Sequence, residues 1–131
     1  MADIPEDLKY TKTHEWVRVD GEEATTGITD FAQHELSDIV YVEVTTVGQQ
    51  VKQGDTIGTI EAVKAVSDTY APVSGEVIAG NESLKDAPDK VNKDPYGEGW
   101  IARLRVSNPG ELGSLLDAAA YAEHVKKSEH H

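Results

Sequence analysis

The stretch from Thr56 to Val77, which reads TIGTIEAVKAVSDTYAPVSGEV, constrains the fold more than any other part of the sequence. Two runs of strand-forming residues flank a tight bend, and Lys64 lies at the tip of that bend. Pro72 and Gly75 then turn the chain again before a further strand-forming run. The pattern predicts a β-hairpin that presents one lysine to other molecules, on a compact β-fold that holds it in place.

The rest of the chain favours the same architecture. Turn signals recur every ~8–12 residues between short strand-forming runs, a spacing typical of an all-β sandwich or barrel with about seven or eight strands. Besides those of the hairpin, we expect strands at 14–20, 23–28, 39–44, around Val51 and at 100–106. In the first of these, Trp16, Val17 and Val19 offer buried area, and Gly27 in the second suggests a close backbone approach or a bulge.

We expect helices at 29–36, from Asn108 onward and at 118–127, and an ordered loop at 91–99. Thr29-Asp30 supplies the N-cap chemistry of the first helix, and Tyr121 and Val125 share one face of the last.

The balance of charge restricts the kinds of partner. The chain has 12 Lys and Arg against 24 Asp and Glu, a formal net charge of −12. This charge repels nucleic acid and anionic membranes, and it favours basic patches on partner proteins. Because it also opposes self-association, we expect a monomer that binds neither nucleic acid nor membrane.

Length and terminal sequence give the expected organisation and location. No apolar run approaches the ~20 residues that span a bilayer. Asp3, Glu6 and Asp7 make the N-terminus unlike a secretory signal or an Arg-rich transit peptide. We expect a cytoplasmic bacterial protein, or a processed protein of the mitochondrial matrix if the source is eukaryotic. Residues 1–129 are expected to form one domain, with 130–131 as a tail or the remnant of a tag.

Several classes of chemistry lack their residues here. Cysteine is absent, which excludes disulfides, thiolate zinc sites and a cysteine nucleophile. The five histidines show no metal-ligand spacing, so no metal site is expected; His34 and His124 are expected at solvent-facing helix positions. His14 and Glu15 form either an acid–base pair or, as is more common, a packing or capping site.

Lys64 allows three interpretations. It is a solvated surface lysine, a Schiff-base nucleophile, or the attachment point of a covalently bound group. A Schiff-base lysine needs a desolvated pocket or a cationic neighbour to depress its pKa, whereas its neighbours Glu61 and Asp68 are acidic. A tether needs a projecting point on a rigid base, and a hairpin tip provides both.

Short motifs along nearly the whole chain bear on the choice between these three interpretations. They are Lys9-Tyr10, Thr13-His14-Glu15-Trp16-Val17, Gly27-Ile28-Thr29-Asp30, Ala32-Gln33, Glu61 to Asp68, Ala71 to Val77, Val91-Asn92, Pro95-Tyr96 and Gly99-Trp100. Their order and spacing resemble the H-protein family of the glycine cleavage system, whose members are lipoyl carriers. The attachment motif of that family usually reads Glu-Ser-Val-Lys-Ala, and here Ala62 replaces the serine.

The resemblance implies a fold, a cofactor and a set of partners. The implied fold is all-β with minor helices: a barrel-sandwich hybrid of two antiparallel sheets, of the lipoyl and biotinyl carrier type, with a short inserted helix and C-terminal helices. Lipoate would be amide-linked to Lys64. The arm would take an aminomethyl group from a pyridoxal-phosphate glycine decarboxylase to a tetrahydrofolate-dependent aminomethyltransferase, and a dihydrolipoamide dehydrogenase would reoxidise it. The carrier itself would catalyse none of these steps.

The resemblance also implies roles for individual residues. Glu61, Val63, Ala65 and Asp68 would be recognised by the lipoylating enzymes. Thr13, His14, Glu15 and Asp68 would form a cleft that shelters the loaded arm, where a carboxylate attracts the protonated amine and exclusion of water slows its loss.

Three other carrier functions remain open at this point. One is a lipoyl domain of a 2-oxoacid dehydrogenase, but such domains are usually shorter modules within longer chains, without the His14-Glu15-Trp16 segment or the C-terminal helix pair. A biotinyl carrier uses a lysine on the same kind of hairpin, but it normally has methionine on both sides, where Val63 and Ala65 stand here. A lipoyl donor or relay protein would pass its group to other proteins. An interaction module whose Lys64 stays unmodified is the alternative outside the carriers.

Overall fold

The computed structural model describes residues 3–129 and consists mainly of β-structure, so the expected tail at 130–131 lies outside the described residues. Within the described range its strands are β1 (Lys9–Tyr10), β2 (Glu15–Asp20), β3 (Glu23–Ile28), β4 (Ile39–Val44), β5 (Gln50–Val51), β6 (Thr56–Ala62), β7 (Val66–Tyr70), β8 (Gly75–Gly80) and β9 (Ala102–Val106). The helices are α1 (Asp30–Leu36), α2 (Lys90–Lys93) and α3 (Ala118–Glu129), with 3₁₀ turns at Glu82–Lys85 and Pro109–Ser114.

The strands form two antiparallel sheets. The larger has the order β1-β2-β3-β9-β8-β5, and the smaller has the order β4-β6-β7. Ile28 of β3, Ile60 of β6 and Leu104 of β9 belong to one buried cluster, so the main core lies between the two sheets. The predicted fold class, two antiparallel sheets with few helices, is confirmed.

A second, aromatic cluster joins the two ends of the described chain. Tyr10 of β1 stacks on Tyr121 of α3 with ring centroids 4.6 Å apart, and both side chains are fully buried. Leu8 and Val125 are buried in the same cluster. Because Tyr121 and Val125 lie one helical turn apart, α3 presents a single apolar stripe to the larger sheet.

Trp16 lies at the centre of this cluster and explains the glycine opposite it. Trp16 pairs with Gly27 across β2 and β3, and its indole N–H donates to the carbonyl of Pro95 at 2.9 Å. A Cβ atom on Gly27 would lie 2.8 Å from the indole Nε1, closer than real contacts allow. The close backbone approach predicted at Gly27 is therefore confirmed.

Helix α1 begins where the sequence predicts. The Thr29 hydroxyl accepts a hydrogen bond from the Ala32 N–H at 3.3 Å, which makes Thr29 the N-cap. Gln33 donates to the Asp30 carboxylate at 2.7 Å. The helix leads the chain from the larger sheet into β4 of the smaller one.

Four local predictions need correction. Residues 91–99 are not all loop, because α2 continues to Lys93. The segment after Asn108 is a 3₁₀ turn rather than an α-helix. Val19, expected in the core, is 41% exposed near the end of the β2–β3 hairpin. His124 does not face solvent: it is half-buried, and its Nε2 lies 2.8 Å from the Lys12 carbonyl.

Candidate functional site

The β6–β7 hairpin places Lys64 at its tip. Glu61 pairs with Val66, and the Ala62 N–H donates to the Ala65 carbonyl at 2.7 Å, so Val63 and Lys64 are the central residues of the turn. The Val63 N–H also donates to the Asp38 carbonyl at 3.0 Å, which ties the turn to the start of β4. Lys64 is exposed on a turn held from both sides.

The predicted recognition residues fall into two groups around this tip. Val63 and Ala65 flank Lys64 in the turn and are exposed. Glu61 and Asp68 lie on the outer face of the smaller sheet, since Glu61 pairs with Val66 and Asp68 pairs with Thr59. All four lie on the hairpin, within a few residues of Lys64 in the sequence.

A cleft of about 360 Å³ lies at the other end of β7. Its lining includes Tyr10, Thr11, Thr13, Gln53, Tyr70 and Leu115. Val66 and Tyr70 are separated by about 13 Å along the strand, at ~3.3 Å per residue. Because Asp68 stands between them on the same exposed face, β7 forms a direct path from the tip to the cleft.

Glu15 is buried behind two threonines that line this cleft. Its side chain is 1% exposed. Its carboxylate accepts hydrogen bonds from the Thr11 hydroxyl at 2.7 Å and from the Thr13 hydroxyl. The Thr11 hydroxyl oxygen also accepts from the Glu15 N–H at 3.0 Å. The three side chains form one connected network at the start of β2.

Burial raises the pKa of Glu15 to about 7, although hydrogen bonds from Thr13 and Thr11 act in the opposite direction. A carboxyl group with this pKa carries a proton in about half of the molecules at neutral pH. Because a cation in the cleft would favour the ionised form, the protonation of Glu15 responds to what the cleft contains.

His14 does not line the cleft. It adopts a left-handed backbone with φ of 71°, and its Nδ1 lies 2.8 Å from the Tyr121 hydroxyl. Its ring packs against Phe31 at 4.9 Å and His124 at 5.3 Å. Burial and His124 lower the pKa of His14, while Glu35 raises it. The packing interpretation of His14 is therefore correct, and the acid–base pair with Glu15 is not formed.

Sequence reasoning missed two residues of the site. Thr11 bonds Glu15 directly, and Tyr70 lines the cleft while its backbone hydrogen-bonds the Glu15 carboxylate. Thr11 approaches Glu15 through the turn at residues 11–14, in which the His14 N–H donates to the Thr11 carbonyl at 3.2 Å. The signal that could have identified Thr11 is the pair of hydroxyl residues just before Glu15, because threonine hydroxyls often hydrogen-bond groups a few residues away in turns. Tyr70 carries no comparable signal, since its position depends on the packing of two sheets.

Two further properties of the described chain bear on its chemistry. Within residues 3–129, no three His, Asp or Glu side chains come together as a metal-ligand set. No helix in that range has both the length and the hydropathy needed to cross a membrane.

Comparison with known proteins identifies the family. A family model described as Glycine cleavage H-protein matches residues 8–128. The chain belongs to the glycine cleavage H-protein family. The H protein of Rubrobacter xylanophilus is 56% identical over 129 residues, which cover 98% of this chain and 100% of the relative. That of Marinobacter nauticus is 54% identical over 130 residues, covering 98% and 100%.

A solved H-protein structure has the same fold. The crystal structure of the glycine cleavage system H protein from Mycobacterium marinum matches with a TM-score of 0.85 at 36% sequence identity. The match covers 94% of this chain and 99% of the other. The carrier role in glycine cleavage predicted from the sequence motifs agrees with this family membership.

Proposed function

We propose that Lys64 carries lipoate in amide linkage and that this chain shuttles an aminomethyl group between the enzymes of glycine cleavage. The observation that carries the proposal is an exposed lysine at the tip of the β6–β7 hairpin, in a chain of the H-protein family. When bound, lipoate supplies the disulfide–dithiol couple on which the aminomethyl group and electrons travel.

The hairpin acts as a rigid base for this attachment. The Ala62–Ala65 and Val63–Asp38 backbone hydrogen bonds fix the turn, so Lys64 projects from a defined position. Its neighbours Glu61, Val63, Ala65 and Asp68 are the residues that lipoylating enzymes would recognise. Once the amine is acylated the tip loses its positive charge, while Glu61 and Asp68 keep their negative charges.

The cleft at the base of β7 fits the free end of such an arm. Its lining combines apolar side chains such as Tyr70 and Leu115 with the hydroxyls of Thr11 and Thr13. The buried Glu15 carboxylate behind those hydroxyls attracts a protonated amine, and Asp68 provides a second carboxylate on the path to it. The walls exclude water from the amine, which slows hydrolytic loss of the cargo.

The proposed partners follow from this role. They are a pyridoxal-phosphate glycine decarboxylase, an aminomethyltransferase, a dihydrolipoamide dehydrogenase and the lipoylating enzymes. A chain of net charge −12 favours basic surfaces on each of them. We propose a monomeric carrier without catalytic activity of its own, formed by a single domain over residues 1–129. The relatives described above are bacterial, and in such a host we place the protein in the cytoplasm.

The decisive experiment is the intact mass of the protein purified from its native host, followed by localisation of any adduct. We expect a lipoyl increment on Lys64. A biotinyl increment would instead support the rival carrier function, which the family match disfavours. A role as lipoyl donor to other proteins stays a prediction, which transfer of labelled lipoate to a second apo-protein would test.

A substitution tests the same proposal in solution. The Lys64→Arg variant keeps the charge but provides no amine that forms the amide, so we expect neither lipoylation nor glycine breakdown with the three companion enzymes. Lys52→Arg, at another exposed lysine, is the matched control and should behave like the wild type. Glycine breakdown by the Lys64→Arg variant would contradict the proposal.

A further inference from the structure

Four apolar side chains are exposed together around the hairpin tip. Val63 is 74% exposed, Val66 is 66% exposed, Val40 is 53% exposed and Tyr41 is 42% exposed. We call these residues the tip patch. Tyr41 pairs with Glu61, which pairs with Val66, so the Glu61 carboxylate on β6 lies between Tyr41 of β4 and Val66 of β7. Exposed apolar side chains grouped in this way mark interaction sites.

A β-bulge creates half of the patch. Ile39 pairs with Ala62 and Tyr41 pairs with Glu61, so three residues of β4 stand opposite two consecutive residues of β6. Val40 is the extra residue. In a regular strand Val40 would point to the face opposite Tyr41. The bulge allows both side chains to reach solvent, at the end of β4 that is bonded to the turn through Asp38.

Carboxylates lie within the patch and around it. Asp38 and Glu43 lie on β4 or beside it, and Glu61 and Asp68 lie on the hairpin. Lys85, at the far edge of β4, is paired with Glu82 at 2.9 Å and leaves the border negative. Apolar side chains that alternate with carboxylates match a partner surface on which apolar side chains alternate with Lys and Arg.

We propose that the tip patch is the docking surface for the enzyme that acylates Lys64, and that this enzyme presents apolar side chains interspersed with Lys and Arg. The inference rests on the proposed function and adds a recognition surface on β4 to the residues of the hairpin. Val40 and Tyr41 are the new members of that surface.

The length of the lysine explains why this partner in particular needs the patch. The amine of an unmodified lysine stands at the end of a four-carbon stem. An enzyme that acylates it must therefore bring its active site against the turn and its surroundings. Enzymes that act later meet the end of a much longer arm, so their active sites need not touch Val40 or Tyr41.

The chemistry at the docked tip is a simple acyl transfer. The neutral Lys64 Nζ forms an amide bond with the carbonyl carbon of a lipoyl adenylate, which the enzyme makes from lipoate and ATP. The bond between that carbon and the phosphate oxygen breaks, AMP leaves with the electron pair, and the nitrogen loses a proton. The patch takes no part in these bonds and acts only on the encounter of the two proteins.

Steady-state acylation by a bacterial lipoate–protein ligase, with lipoate and ATP, tests the proposal. We expect Tyr41→Ser and Glu43→Lys each to raise KM for the carrier at least tenfold while kcat changes less than twofold. Val19→Ser and Asp20→Lys are matched controls on the larger sheet, because Val19 is 41% exposed against 42% for Tyr41. Both controls should leave KM within twofold of the wild type.

Two further measurements separate docking from folding and from the proposed function. Reaction of Lys64 with a small amine-reactive ester should be the same in wild type and variants. Variants lipoylated to completion at high ligase concentration should be loaded by glycine decarboxylase with an unchanged KM. An unchanged KM for acylation of Tyr41→Ser and Glu43→Lys, with normal acylation of the wild type, would overturn this inference alone. Failure of the wild type to be acylated at Lys64 would overturn the proposed function as well.

Discussion

Glu15 shows how one residue links stability to the cleft. It is 1% exposed, and its hydrogen-bond partners are the hydroxyls of Thr11 and Thr13 rather than a cation. Burial of a carboxylate without a positive partner is unfavourable, which is why burial raises its pKa to about 7. The fold therefore binds this proton more tightly than the unfolded chain does.

This difference predicts a pH dependence of stability. The folded pKa of Glu15 lies above its ordinary value of 4.5, so its favourable contribution is complete below pH 4.5 and is lost as pH rises through about 7. The shift corresponds to about 3 kcal/mol between these limits. The side chain introduced in Glu15→Gln cannot ionise. Between pH 4.5 and pH 8 we therefore expect the free energy of unfolding of the wild type, measured in urea, to fall by about 2–3 kcal/mol more than that of the variant.

Glu22→Gln is the control for this measurement, because Glu22 is exposed in the β2–β3 turn. Its pH profile should follow the wild type. Parallel profiles for wild type and Glu15→Gln would show that the Glu15 proton does not contribute to the stability of the fold.

At the scale of elements, Asn92 joins three segments that are distant in sequence. Its Oδ1 accepts from the Ile39 N–H at 3.0 Å, and its Nδ2 donates to the Ser37 carbonyl at 2.7 Å and to Gln33 Oε1 at 2.9 Å. A side chain of α2 thus closes the end of α1 and aligns the first residue of β4. The patch that we propose as a docking surface begins at this junction.

We expect Asn92→Ala to lower the free energy of unfolding by about 2–3 kcal/mol, because the Ile39 N–H, the Ser37 carbonyl and Gln33 Oε1 all lose their partner. Urea denaturation measures this loss. Asn92→Asp keeps the acceptor for the Ile39 N–H but loses both donors, so it should be destabilised as well. The Ile39 amide should stay protected from hydrogen exchange in this variant. A loss below 0.5 kcal/mol in Asn92→Ala would contradict the role of the junction.

The same elements show what the sequence can and cannot predict. The β6–β7 hairpin, the Thr29 cap and the apolar stripe of α3 depend on local periodicity and turn chemistry, and all were predicted correctly. Helix α2 was missed because Asp94, Pro95 and Gly97 dominate its neighbourhood. The position of Tyr70 against Glu15 depends on contacts between the two sheets, which no local pattern records.

At the scale of the whole molecule, the two buried clusters have different tasks. The cluster between the sheets supports the hairpin, and the aromatic cluster closes the ends of the described chain against the larger sheet. Tyr121 is the centre of the second cluster: it stacks on Tyr10, and its hydroxyl bonds both His14 at 2.8 Å and Thr29 at 2.7 Å. One residue of α3 thereby contacts β1, the start of β2 and the cap of α1.

Truncation of Tyr121 tests whether the aromatic cluster and the cluster between the sheets act independently. We expect Tyr121→Ala to cost about 3–5 kcal/mol and to expose the amides of α3 to hydrogen exchange. Tyr121→Phe keeps the stacking and should cost about 1–2 kcal/mol through the lost hydroxyl. In each variant that remains folded, Lys64 should be acylated at the wild-type rate. A reduced rate would show that the hairpin depends on the aromatic cluster.

The buried carboxyl behind the cleft has a consequence for the exchange of cargo that we propose. With a pKa of about 7, Glu15 is partly protonated at neutral pH, and an entering ammonium group would drive that proton into the solvent. Uptake of a cation then liberates another, and the net charge enclosed by the walls changes by less than one unit. The heat measured when the cleft binds a cation would therefore vary with the ionisation enthalpy of the buffer, because the buffer takes up the released proton.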